Sequence, residues 1–211
     1  MIGRPDSTTI DGPAGLLEVV LEDPATAPIG LVVIAHPHPQ MGGTMDNKVV
    51  HTLSKAFVLA GWRAVRFNFR GIGQSEGAWN EGVGEVDDLL AVLAHHRTDP
   101  AVQSLPLALA GFSFGGFIAA SASARLTEPP SELVLVSPAT RYALPHVPAH
   151  TLVVQGEQDD VVSMASVLDW ARPQALPVTV VPGVGHFFHG QLGVLRDRVL
   201  RHLRGTSGTS A

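Results

Sequence analysis

Short apolar runs alternate with segments of helical periodicity along most of the chain. Runs rich in valine, leucine and isoleucine predict strands, whereas apolar residues spaced three and four apart predict helices. The predicted strands are 16–21, 30–35, 63–69, 105–110, 132–136, 151–155 and 177–181. The predicted helices are 46–60, 84–96, 116–122, 167–171 and 192–203. Such alternation predicts an α/β fold, with a mainly parallel sheet and helices on both faces.

A glycine-rich turn joins the strand at 105–110 to the helix that follows. Its sequence is Gly111-Phe112-Ser113-Phe114-Gly115, and G-x-S-x-G on a strand-to-helix turn is the sequence form of a nucleophile elbow. Glycine is needed there because a Cβ atom would collide with the neighbouring backbone. Ser113 is therefore the candidate nucleophile. The alternative is a tight-turn serine without a chemical role.

Polar residues follow two later strands, where ligand sites of parallel sheets lie. A serine nucleophile needs a base, usually a histidine that a carboxylate orients. Asp159 and Asp160 follow the strand at 151–155, and His186 follows the last strand. The order Ser, Asp, His is that of the α/β-hydrolase triad. Spacing favours Asp159 as the acid, which leaves Asp160 as a solvated or helix-capping carboxylate.

Acyl transfer also needs an oxyanion hole. One donor is expected from the backbone N–H of Phe114, directly after the nucleophile and at a helix N-terminus. The second should come from the loop after the strand at 30–35, which begins His36-Pro37-His38-Pro39. Proline has no N–H, so His36 and His38 are the available donors, and we choose His38. A metal site at these two histidines is the alternative, but no acidic ligand accompanies them in the sequence.

Composition narrows the classes of partner. The chain has 211 residues, a formal net charge of -5 and no cysteine. The absence of a basic cluster disfavours nucleic acid and anionic membranes. The absence of cysteine excludes disulfides, thiolate metal sites and a cysteine nucleophile. The N-terminus lacks the apolar core of a signal peptide, and the apolar run 29–35 is too short to span a membrane. A cytoplasmic protein is expected, and its oligomeric state stays open.

Several further residues receive structural interpretations. The pairs Asp87-Asp88 and His95-His96 are interpreted as solvated positions of a helix. Trp79, Phe112 and Phe187 are interpreted as core aromatics, with contact to the substrate as the alternative. We expect one domain over residues 1–211, with frayed ends at 1–7 and 205–211.

Five sequence blocks together resemble the α/β-hydrolase superfamily. They are His36-Pro37-His38-Pro39 through Val50, Arg66 through Gly71, Gly111 through Gly115, Gln155 through Val162, and Gly185 through Phe188. The chain is similar in particular to small lidless bacterial hydrolases near the dienelactone-hydrolase-like group. The resemblance covers about residues 30–190. It implies an α/β-hydrolase fold with a mostly parallel sheet of about eight strands, the second of them antiparallel.

Site roles carry over from the resemblance by motif position. It implies Ser113 as nucleophile, Asp159 as acid and His186 as base, with Phe114 and His38 as backbone oxyanion donors. The segment after Val136, where many relatives insert a lid, is short. The resemblance therefore predicts no large lid and an open pocket, roofed at most by residues 137–149.

The expected activity is that of a serine hydrolase acting on a small-molecule acyl substrate. It would cleave a carboxylic ester, or a related bond such as a thioester, through an acyl-enzyme and without cofactor or metal. An amidase or peptidase is the alternative chemistry. A non-catalytic scaffold of the same fold with a binding role is the alternative from another class.

Overall fold

Eight strands form one sheet in the computed structural model, which describes residues 7–206. The strands are β1 Thr8–Gly12, β2 Gly15–Glu22, β3 Leu31–Ala35, β4 Arg63–Phe67, β5 Leu107–Phe112, β6 Glu132–Val136, β7 Leu152–Gly156 and β8 Val178–Val181. The helices are α1 Lys48–Leu59, α2 Val83–His96, α3 Phe114–Arg125, α4 Met164–Ala171 and α5 Leu192–Thr206.

The strand order is β1-β2-β4-β3-β5-β6-β7-β8. β2 pairs antiparallel with both of its neighbours, and every pair from β4 to β8 is parallel. Parallel neighbours need a crossover between them. Helices supply these crossovers except between β6 and β7, where residues 137–151 form an irregular connection. The predicted α/β class, the eight strands and the antiparallel second strand are confirmed.

Alternate residues of each central strand face opposite layers of helices. In β3, Val32 and Ile34 belong to one apolar core with residues of α1 and α5. Leu31 and Val33 belong to the other core, with residues of α2 and α3. All five residues of β3 are buried, which explains its unbroken apolar sequence. Because these strands are parallel, the carboxyl ends of β3, β5, β7 and β8 lie at the same edge of the sheet, where ligand sites of such folds lie.

The apolar pattern missed the first strand. β1 has the sequence Thr-Thr-Ile-Asp-Gly, and only Ile10 in it is buried. It is an edge strand that pairs with β2 alone. Backbone hydrogen bonds to β2, rather than side-chain burial, place β1 in the sheet. Such hydrogen bonds leave no apolar run in the sequence from which the strand could be predicted.

Several predicted boundaries also differ from the structure, and two of these differences have a clear cause. β5 ends two residues later than predicted, at Phe112, because the strand continues into the glycine-rich turn. α1 begins at Lys48 rather than at residue 46, since the side chain of Asn47 accepts a hydrogen bond from the N–H of Val49, at 2.8 Å, and caps the helix.

Residues 137–151, between β6 and β7, contain neither a helix nor a strand. The predicted absence of a large lid is therefore confirmed. Two residues of the predicted frayed C-terminal end, 205 and 206, belong to α5. Residues 1–6 and 207–211 of the predicted frayed ends lie outside the described residues. Within residues 7–206, no helix is long and apolar enough to cross a bilayer.

The interpretation of Asp88 as a solvated residue is wrong. Its carboxylate is fully buried and accepts hydrogen bonds from Nη2 of Arg70, at 2.7 Å, and from the Arg70 backbone N–H, at 3.0 Å. The neighbouring Asp87 is partly exposed and pairs with Arg125 on the surface. Arg70 follows the end of β4, and its side chain is buried in the interior. Its charge therefore requires a buried counter-charge. His96 is buried as well, against the same prediction.

Substitution of Asp88 by alanine should destabilise the fold far more than the same change at Asp87. Asp88→Ala leaves the Arg70 guanidinium buried without a counter-charge, so we expect the free energy of unfolding to fall by about 3–5 kcal/mol. Asp87→Ala removes an exposed pair and should cost less than about 1 kcal/mol. Urea unfolding of both variants measures the difference, and equal losses would contradict the assigned role of the buried pair.

Candidate active site

Ser113 lies at the sharp turn between β5 and α3, with φ 56° and ψ -117°. The turn brings backbone segments so close that a Cβ atom on Gly111 would lie 2.0 Å from the carbonyl oxygen of Gly115. A Cβ atom on Gly115 would lie 2.2 Å from the carbonyl oxygen of Ala35. Both glycines are therefore required by close approach. The backbone N–H of Ser113 donates to the carbonyl of Val136 at 2.9 Å, which fixes the strained residue to β6.

His186 follows β8 and lies against the serine. Its Nε2 is 3.1 Å from Oγ of Ser113, and its Nδ1 is 2.8 Å from Oδ2 of Asp159. The ring of Phe112 packs on the imidazole with centroids 4.8 Å apart. All three polar residues are buried, so water competes little for their hydrogen bonds. The structure thus brings together Ser113, His186 and Asp159, as the sequence predicts.

The carboxylate of Asp159 is held on both oxygens. Oδ1 accepts hydrogen bonds from the N–H groups of Val161 and Val162, at 3.0 and 2.7 Å. Oδ2 accepts from Nε2 of Gln155 at 3.1 Å, in addition to His186. Burial alone would raise the pKa of Asp159, but the hydrogen bonds from His186 and Val162 hold that pKa below its ordinary value. The ionised carboxylate therefore keeps the proton on Nδ1 of His186 and leaves Nε2 as an acceptor for the serine hydroxyl.

Asp160 is exposed and lines the cavity instead of contacting the histidine. The sequence reasoning missed Gln155, whose amide also donates to the carbonyl of Val162 at 2.8 Å. The available signal was an amide side chain near the end of an otherwise apolar buried strand. Such a residue needs polar partners, and the loop that carries Asp159 provides them for Nε2, whereas Oε1 has no partner among residues 7–206.

Two backbone N–H groups beside Ser113 have no acceptor among residues 7–206. They belong to Phe114 and His38, the predicted oxyanion donors, and both residues line the same cavity as Ser113. Buried N–H groups are almost always hydrogen-bonded in folded proteins. Donors left open beside a buried serine are suited to bind an oxygen atom of a ligand.

His36 orients the peptide that carries the His38 N–H. The backbone N–H of Phe69 donates to Nε2 of His36 at 3.1 Å, so the ring proton is on Nδ1. Nδ1 in turn donates to the carbonyl oxygen of Pro37 at 2.6 Å. Because the peptide is trans and planar, the N–H of His38 points away from that carbonyl. With both of its ring nitrogens occupied, His36 is not available as a metal ligand, and no three potential ligands cluster within residues 7–206.

The site opens into a cavity of about 690 Å³, a volume typical of small-molecule sites. Thr140 and Arg141 form part of its wall, in agreement with the predicted roof over residues 137–149. Phe187 also lines it and is 45% exposed, so the prediction that Phe187 is a core residue is wrong. Phe112 is fully buried, as predicted. Trp79 packs against the imidazole of His38, with ring centroids 4.7 Å apart.

Comparison with known proteins places the chain in a family. The family model described as serine aminopeptidase, S33, matches residues 26–177. The chain is 34% identical over 194 residues to an uncharacterised protein of Rickettsia prowazekii (strain Madrid E), a match that covers 84% of this chain and 80% of that protein.

Two solved structures resemble the whole chain. An alpha-beta serine hydrolase homologue from Coxiella burnetii is 40% identical, with a TM-score of 0.88 over 96% of this chain and 99% of that one. A protein from Xanthomonas campestris, described as an a/b serine hydrolase without lid, is 35% identical. Its TM-score is also 0.88, over 97% of this chain and 96% of that one.

Burial of His36 should make the stability of the protein depend on pH. Burial lowers the pKa of His36 to about 4, whereas an unfolded histidine has a pKa near 6.5. Between these values the unfolded state binds the proton more readily, so the stability contribution is complete above pH 6.5 and is lost as the pH falls. From pH 7 to pH 5 this loss should be about 2 kcal/mol. His36→Gln should remove that part of the pH dependence.

Urea unfolding at pH 7 and pH 5 measures the effect. Substitution of the exposed His146 by glutamine is the matched control. It should retain the wild-type change in the free energy of unfolding between pH 7 and pH 5. If His36→Gln shows the wild-type change in the free energy of unfolding between pH 7 and pH 5, the buried imidazole does not titrate as described.

Proposed function

The chain belongs to the family described as serine aminopeptidase, S33, a family of α/β serine hydrolases, and on this premise we propose that it cleaves carboxylic esters or thioesters. The observation that carries the proposal is the hydrogen-bonded array of Ser113, His186 and Asp159. Ser113 and His186 line an open, mostly apolar cavity together with Phe114 and His38, whose backbone N–H groups have no acceptor among residues 7–206. This combination supports acyl transfer to serine.

Each chemical step uses groups already in contact. Oγ of Ser113 attacks the acyl carbon while its proton passes to Nε2 of His186, 3.1 Å away. Asp159 stabilises the imidazolium that forms. The N–H groups of Phe114 and His38 bind the oxyanion of the tetrahedral intermediate. His186 then gives the proton to the leaving group, and an acyl-serine results.

Water completes the reaction by the same route. His186 takes a proton from the attacking water, the oxyanion forms again in the same position, and the proton returns to Oγ of Ser113 as the acid leaves. The open cavity supports this second half, because water reaches the acyl group without a change of conformation. A small-molecule ester suits the volume of the cavity.

Hydrolysis of an aminoacyl amide is the second candidate, favoured by the description of the matching family. An aminopeptidase must recognise a free α-ammonium group, and Asp160 is an exposed carboxylate in the cavity wall. Turnover of leucine p-nitroanilide against p-nitrophenyl butyrate separates the two chemistries. Asp160→Asn should weaken binding of the anilide alone if Asp160 binds the ammonium.

Removal of the Ser113 hydroxyl should abolish turnover. Ser113→Ala should lower kcat on p-nitrophenyl butyrate by about six orders of magnitude, the loss that removal of the serine causes in subtilisin. A fluorophosphonate should label the wild-type protein at Ser113 and should leave the variant unlabelled, as mass mapping would show. Ordinary turnover by a folded Ser113→Ala would overturn the mechanism. A folded wild type that is neither labelled nor active would favour the non-catalytic scaffold.

The two adjacent aspartates should differ sharply in their effect on the rate. Asp159→Asn removes the carboxylate that orients His186 and should lower kcat about ten-thousandfold. Asp160→Asn removes an exposed carboxylate that is outside the hydrogen-bonded array and should change kcat for a neutral ester less than about threefold. Steady-state kinetics on p-nitrophenyl butyrate tests both, and a larger loss in Asp160→Asn would reverse the assignment of the acid.

A further inference from the structure

One aromatic cluster contains the side chains of both residues that carry the open N–H groups. The rings of His38 and Phe114 lie 5.1 Å apart, although His38 belongs to the loop after β3 and Phe114 begins α3. Tyr142, the only tyrosine in the chain, comes from the segment between β6 and β7. Its ring lies 5.3 Å from that of Phe114 and stacks on that of Phe117 at 4.7 Å. Three separate segments therefore meet at these rings.

Tyr142 provides the polar anchor of the His38 side chain. Its hydroxyl lies 3.0 Å from Nε2 of His38. The other ring nitrogen, Nδ1, is buried and has no partner among residues 7–206. Arg141 donates from Nη2 to the same hydroxyl at 3.1 Å, which occupies an oxygen lone pair and favours donation of the phenolic proton to His38.

Tyr142 is itself fixed relative to the nucleophile. The backbone N–H of Tyr142 donates to the carbonyl of Ala139 at 3.1 Å, and the N–H of Ala139 donates to the carbonyl of Ser113 at 3.0 Å. A continuous chain of hydrogen bonds thus leads from Ser113 through Ala139 and Tyr142 to the imidazole of His38. These contacts fix the position of the loop after β3, which carries the N–H of His38, relative to Ser113.

We infer that Tyr142 is a positioning residue that sets the distance between the His38 N–H and Ser113. This inference rests on the proposed function, since it assigns the two open N–H groups to an oxyanion. Oxyanion donors act most strongly in the transition state, where negative charge develops on the substrate oxygen. Loss of the Tyr142 anchor should therefore lower kcat while KM stays nearly constant. Because removal of a whole donor costs about 100- to 1,000-fold, we expect a displaced donor to cost about tenfold.

Tyr142→Phe tests the inference, since it removes the hydroxyl and keeps the ring. With p-nitrophenyl butyrate, kcat should fall about tenfold and KM should change less than twofold. Ki of an alkyl trifluoromethyl ketone should rise by the same factor, because that inhibitor adds to serine and forms an oxyanion. A Ki that moves with kcat distinguishes a displaced donor from a general loosening of the fold.

Thr151→Val is the matched control. Thr151 lies in the same segment between β6 and β7, and its hydroxyl donates one hydrogen bond, to the carbonyl of Pro148 at 2.7 Å. It does not line the cavity. This variant should leave both kcat and Ki unchanged. Urea unfolding of the variants gives the stability against which the kinetic effects are compared.

A double-mutant cycle provides the second test. His38→Leu removes the imidazole and keeps the backbone N–H, and it should also cost about tenfold in kcat. The double variant with Tyr142→Phe should lose no more than either single variant, because both changes break the same contact. A hundredfold loss in the double variant, or wild-type kcat and Ki in Tyr142→Phe, would overturn the inference. Absence of both turnover and fluorophosphonate labelling in the wild type would instead refute the proposed function, and the inference with it.

Discussion

The close approach of three backbone segments at Ser113 is the constraint on which the site depends. Gly111, Gly115 and Ala35 pack so tightly that side chains at the two glycine positions would overlap the neighbouring carbonyls. This contact joins β5, α3 and the end of β3, so the serine and the loop after β3 share one rigid support. The strained φ at Ser113 persists because a hydrogen bond from its N–H to Val136 of β6 holds it.

Much of the site was predictable because its polar residues follow strands. Ser113 directly follows β5, Asp159 and His186 lie in the loops after β7 and β8, and parallel strands end at a common edge. The chain order then distinguished their roles. What could not be predicted depends on the path of loops. Phe187 is next to a buried histidine in sequence, but its ring turns into the cavity.

The fold was predictable to a similar extent, for the same physical reason. Strands buried on both faces have apolar sequences that stand out, as β3 illustrates. β1 lacks such a sequence because it is stabilised by backbone pairing at an edge. Asp88 was missed because a helix position gives no indication of which loop will deliver an arginine to it. The role of Tyr142 could not be predicted from the sequence either, since its partners come from distant segments.

Residues 137–151 pass beside the cavity without a helix or strand that could close over it. An acyl-serine formed at Ser113 would then face every small nucleophile dissolved around the protein, not water alone. The fate of the acyl group becomes a competition between acceptors, decided by their concentrations and reactivity. On the proposed mechanism, an alcohol that replaced water would convert the same acyl-serine into a new ester, so the surrounding medium would determine whether the product is an acid or an ester.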